Sequence, residues 1–292
     1  MSTATQRITA LREARAETLA RLSDLPEEDL ERPVPWRGAT NTARFRLSWL
    51  AEADDALCVR LLEQRLLLGE RPSTAQLVLP GLGAARGALL GTLVGVPETA
   101  FEQPPAEGEW SLRFVLAHVL NTDLRYLAAV RYACERQASG RGGPLRPPDE
   151  SLPSRTGEEQ RHGTIAELLG RLQATRDEVL GAVASIPDEL LDAPTNWTSW
   201  DLDVRFRIHR FAAHDREHTI QVRKTTRALG LQQSEPQLLL ADAAVARGAL
   251  EAAIRATPEA LLARPSPLDG RTPITLIEQA VADERETQRL LG

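Results

Sequence analysis

LPEEDLERPVPW, from Leu25 to Trp36, reads as a break between two helices, and the chain writes this phrase four times. The other copies are VPETAFEQPPAEGEW from Val96, IPDELLDAPTNW from Ile186 and TPEALLARPSPLDG from Thr257. The first three open on an apolar residue and the fourth on Thr257; in each a proline and an acidic residue follow, and at least one further proline closes one helix and spaces the next. Outward from these breaks, helical periodicity predicts helices over about 4–23, 41–68, 75–95, 111–138, 163–185, 202–229, 236–256 and 272–291. Thr40 and Ser111 stand where N-caps belong, and Thr164 with Glu167 has capping-box spacing. Strand signals are absent, so the expected class is all-α and the repeating unit is a helical hairpin.

One hairpin leaves an apolar face uncovered, and two together close a four-helix bundle. The 292 residues therefore suit two bundle units. The long Gly-, Pro- and Ser-rich stretch from Ala138 to Gln160 is expected to be an exposed crossover. Sequential pairing would join neighbouring hairpins. Nested pairing would make 72–232 one bundle, inserted between the hairpins 1–71 and 233–292 of a second. Nesting is favoured because the middle hairpins alone supply the histidines that must converge.

Charged residues make up 26% of the chain and the net charge is −6, with no concentrated basic stripe, so a nucleic-acid partner is not expected. No stretch has the continuous apolar run of a signal peptide or membrane span, and the expected location is cytoplasmic. Cys58 and Cys134 are far apart, each inside a helical pattern, and read as packing residues rather than a disulfide or a thiol metal motif.

In FAAHDREHTIQV, His214 and His218 are four apart and share one helix face, on the stripe with Val204, Ile208, Phe211 and Val222. His118 lies in EWSLRFVLAHVLNTD on the preceding hairpin. Three neutral imidazoles would hold a first-row divalent metal and leave it positions for water or substrate. The bland alternative is that these are packing or surface histidines. His209, about 140° from His214 around the helix, and His162, ahead of a helix, fall outside the set. Thr122, Arg125, Tyr126 and Gln221 are the polar groups expected beside the site, with Arg125 suited to an anionic thiol or carboxylate. Trp110 and Trp197 read as plugs at the bundle ends.

HDREH also fits a His-x-x-Glu-His peptidase motif, with Glu217 as base and Glu284 or Glu286 as third ligand, a metal-dependent hydrolase. That reading needs a long sheet, and the chain offers no strands for one. A non-catalytic metal-binding or partner-interaction module is the other rival.

EWSLRFVLAHVLNTD followed much later by HDREHTIQ resembles the DinB/YfiT-like superfamily over residues from about 75 to 230. His118, His214 and His218 match its three ligands, and Gln221 matches a glutamine often found after the pair. The resemblance implies a divalent metal, zinc or nickel, and often a dimer. It further implies a thiol S-transferase that uses a low-molecular-weight thiol, such as mycothiol or bacillithiol, on small electrophiles. The outer hairpins look like degenerate copies of the same unit, with Trp49 in FRLSWLAEADD about where a histidine would be and Glu278 in LIEQAVADERE. A metal-free second bundle would cover the first as a partner subunit does, making the chain a monomer with an internal pseudo-dimer, or else a homodimer.

Overall fold

The computed structural model describes residues 2–197 and 200–292. Helices α1 (Thr3–Leu22), α2 (Ala43–Leu67), α3 (Thr74–Gly91), α4 (Leu112–Ala138), α5 (Ile165–Ala184), α6 (Val204–Ala228), α7 (Glu235–Ala256), the single turn α8 (Glu259–Leu262) and α9 (Pro273–Leu291) make the protein all-α. Short polar side chains start the long helices. The hydroxyls of Ser111 and Thr272 accept from the amides of Phe114 and Thr275, and Thr164 closes a capping box with Glu167.

Two small hairpins depart from the sequence expectation. Strands β1 (Pro33–Trp36) and β2 (Ala39–Thr42) pair antiparallel, as do β3 (Pro194–Trp197) and β4 (Trp200–Asp203). Prolines in the first and third phrases argue against strands, but a two-stranded ribbon has only edges, where a missing amide is tolerated. In β1 the prolines face outward while Val34 and Trp36 face inward. Arg37 (φ 51°) and Gly38 (φ 78°) make the tight turn that matches ribbon twist. Thr40 is consequently a strand residue, and Thr42 caps α2 in its place by accepting from the Phe45 amide.

The chain divides into two compact units, one of residues 1–72, 83–95 and 232–292, the other of 73–82 and 96–231. The expected segment 72–232 is thus interrupted, because Gly83–Gly95 groups with the outer segments. The reason is backbone proximity. A Cβ on Gly83 or Gly87 would run into the carbonyl oxygens of Gly248 and Ala244, so only glycine lets this half of α3 lie so close to α7.

In the first unit, α1, α2, α7 and α9 bury Leu11, Leu47, Leu240, Leu250 and Ile277. A charged set lies within this core: Arg15 and Arg247 both reach Glu284 (2.6 and 2.7 Å), and Arg247 also reaches Asp54 (2.7 Å). In the second unit, α4, α5 and α6 bury Val115, Val119, Leu172, Val179, Ile208 and Phe211. Arg176 there pairs with Asp215 at 2.6 Å and with Asp123 at 3.2 Å.

These elements recur at a constant shift of 161 residues, as from Ala43 to Val204, Thr74 to Glu235 and Leu112 to Pro273 at the starts of α2 and α6, α3 and α7, α4 and α9. The buried charges follow the same shift, from Arg15 to Arg176, Asp54 to Asp215 and Asp123 to Glu284.

Candidate metal centre

Helix α6 buries Val204, Ile208, Phe211, Asp215 and Val222 in the core of the second unit. His214 and His218, one turn apart, are also buried, and both face His118 of α4. The Nε2 atoms of His214 and His118 stand 3.2 Å apart, and those of His218 and His214 3.0 Å. All three residues offer donor atoms within 4.8 Å of one another.

Protons alone do not account for this packing. His218 donates its Nδ1–H to Gln221 Oε1 at 2.7 Å, so its Nε2 carries only a lone pair. One proton on His214 Nε2 can satisfy one of its two imidazole contacts, and one on His118 Nε2 leaves His214 and His218 lone pair to lone pair. Nitrogens held about 2.0–2.1 Å from a single ion stand about 3.0–3.4 Å apart, which is the spacing found. The three residues therefore fit a divalent cation.

Electrostatics agree. Burial pulls the pKa of His118 down to about 4, with His218 adding to the effect, and burial also lowers His218 against the opposing pull of Gln221, Glu217 and Asp215. Neutral imidazole is the ligating form. Trp110 closes one side, its ring 5.1 Å from His118 and nearly parallel to His218 at 6.5 Å, while Tyr126 stands edge-on to His214 at 5.9 Å.

The histidines open onto a cleft of about 820 Å³ in the second unit. Thr122, Arg125 and Tyr126 line it. Gln221 lies elsewhere, behind His218, and its part is to fix that ring. Trp197 lines the cleft with the Arg210 guanidinium 4.7 Å above its ring. Residues the sequence did not single out complete the walls, chiefly Arg146, Arg155, Arg207 and Arg210. Arg146 and Arg155 come from the irregular 138–160 stretch, which is largely exposed but also forms a wall, held by Asn121 Nδ2 donating to Ser154 O (2.8 Å) and by Arg125 donating to Pro153 O. Glu217 sits at the margin, exposed and paired with Arg210 at 2.9 Å. Glu284, the third ligand a peptidase reading would need, is consumed by Arg15 and Arg247 in the first unit. His209 and His162 are exposed.

A family model described as the DinB superfamily matches residues 82–222, a stretch that contains all three histidines and Gln221. The match supports a DinB-like assignment of that stretch. No curated protein and no solved structure matches it significantly. No helix is long and apolar enough to cross a membrane among the described residues. The histidine triad meets the cleft, and neither cysteine of the chain is a ready nucleophile. Burial pushes Cys58 up to about 11 and raises Cys134 as well.

Proposed function

We propose that the protein is a metal-dependent thiol S-transferase, with zinc or nickel held by His118, His214 and His218 and a low-molecular-weight thiol as cosubstrate. The observation that carries this reading is the convergence of three imidazoles at the wall of an open cleft. The ion would supply Lewis-acid charge that favours the deprotonated form of a thiol or water at neutral pH. The chain's own residues bind and shield. Thr122 and Tyr126 line the cleft together with the histidines, Arg125 offers a cation, and Trp110 covers the His118 side. The nucleophile comes from the cosubstrate, since neither cysteine lines the cleft. The setting is the cytoplasm, where such thiols stay reduced.

The constant 161-residue shift supports a tandem duplication in which only one copy of the site keeps its ligands. Ala53, Leu57 and Gln279 stand at the places of His214, His218 and His118 under that shift, which revises the assignment of Trp49 and Glu278 to the histidine positions. The chain then carries both copies that a dimer would, and it acts as a monomer.

The test is metal analysis of untagged protein, followed by monochlorobimane with mycothiol, bacillithiol, glutathione or coenzyme A. In that reaction the sulfur displaces chloride from carbon and the thiol proton passes to buffer. Wild type should exceed His118→Ala at least tenfold with one of the thiols. Equal slow rates across the panel would leave a non-catalytic metal-binding module.

A further inference from the structure

Arg207 differs from the core arginines Arg15, Arg176 and Arg247. It is 5% exposed, yet among the described residues its guanidinium pairs with no carboxylate. It donates to the backbone carbonyl of Asn196 and lies 5.2 Å from the ring of Tyr126. Arg15, Arg176 and Arg247, equally buried, each hold a buried acid. Burial draws the pKa of Arg207 down to about 10; Tyr126 opposes this, while Arg146 and Arg210 lower it further. A buried charge left without a counter-ion is strongly unfavourable, so such a group in a folded protein calls for a partner.

In the first unit the same position has acidic charges close by and lines no open cleft. Arg46 stands 161 residues before Arg207 and is fully buried. It donates to the Asp283 carbonyl at 3.0 Å and to the Thr287 hydroxyl, lies 4.3 Å from the Trp36 ring, and has the charges of Asp283 and Glu286 beside it. Trp49 packs 4.9 Å from Trp36 and fills the space. At the same shift the second unit has Thr122 for Asp283, Arg125 for Glu286 and Arg210 for Trp49. Both internal acids are gone, and the bulky ring is replaced by a cation. What remains is an open cleft lined by five arginines, with Glu217 as its one acidic lining residue.

We propose that the cleft takes its substrate or cosubstrate by an anionic group, a carboxylate or a phosphate, that pairs with Arg207 and is flanked by Arg146 and Arg210. This rests on the reading of the cleft as a substrate site and narrows the substrate class. A neutral electrophile with a neutral thiol leaves Arg207 uncompensated; a carboxylate or phosphate on either molecule does not. The guanidinium fork offers paired donors to two oxygens of such a group.

The experiment is calorimetric titration of the metal-loaded full chain with succinate, with inorganic phosphate, and with succinamide as the neutral control. Succinate or phosphate should bind and succinamide should not, with affinity falling as salt rises. The anion that binds tells the carboxylate source from the phosphate source. Arg207→Gln should weaken binding about tenfold or more, and Arg207→Lys less. Arg146→Gln, in an exposed segment whose change leaves the helices intact, should weaken it severalfold and keeps the test open if position 207 proves needed for folding. His214→Ala separates this from the metal reading, since it should lower metal content and leave anion affinity in place. No binding of either anion to wild type would overturn the proposal. So would an affinity unchanged in Arg207→Gln and Arg146→Gln, or one lost only with His214, which would put the anion on the metal.

Discussion

Gln221 separates the placing of a ligand from the ligand itself. Its Oε1 holds the His218 proton on Nδ1 and so leaves Nε2 free to bind. Gln221→Ala keeps all three donors and removes that restraint. Metal affinity is expected to fall about tenfold to a hundredfold with helicity unchanged, read by competition with a chromogenic chelator. An unchanged affinity would mean that packing against Trp110 alone orients the ring. These residues were legible because helix geometry turns a four-residue spacing into one face. Arg207 was equally open to reading and was missed. It sits at a stripe position between Val204 and Phe211, where a charge among apolar residues is the signal. Arg146 and Arg155 gave no such sign, since an irregular segment has no period from which to infer a facing side.

Helices could be placed from the sequence within a few residues because their caps and proline breaks are local. What ties them together is less local. Arg15, Asp54, Arg247 and Glu284 come one from each of α1, α2, α7 and α9, and no spacing within a helix announces their meeting. Burial alone would raise the Glu284 pKa, but Arg15 and Arg247 outweigh it and hold the carboxyl at about 2, below its ordinary 4.5. The unfolded chain therefore takes up this proton first as pH falls. The stabilisation is complete above about pH 4.5 and is lost progressively between 4.5 and 2. Glu284→Gln leaves two buried guanidinium groups with Asp54 as their remaining carboxylate, at a cost of about 3–5 kcal/mol. Urea unfolding from pH 7 to pH 3.5 should show that loss at neutral pH and a flatter acid limb in the variant. The ribbons β1–β2 and β3–β4 escaped the sequence reading for a different reason. Four-residue strands with outward prolines have too little alternation to register, and the positive φ at Arg37 is a property of the turn rather than of the residue type.

For the whole chain, the order of the ligands matters more than their number. His118 precedes the irregular stretch and the His214–His218 pair follows it, so neither half of the chain holds a complete centre. At the 161-residue shift from the three histidines stand Ala53, Leu57 and Gln279, none of them an imidazole, and intact protein is expected to bind one metal ion per chain. The same order gives a sharper test. Gly142 and Gly143 are exposed, at a point where the chain between α4 and α5 tolerates a break. A cut there gives fragments 1–142 and 143–292, with His118 on one and the pair on the other. Expressed separately, each is expected to bind zinc far more weakly than the intact chain, because one or two imidazoles lack the third that closes the site. Expressed together, they should copurify and regain about one zinc per pair, since α4 packs against both α5 and α6. Full, tight zinc binding by 143–292 alone would show that the pair recruits its third ligand from within that half, and that His118 is not part of the centre.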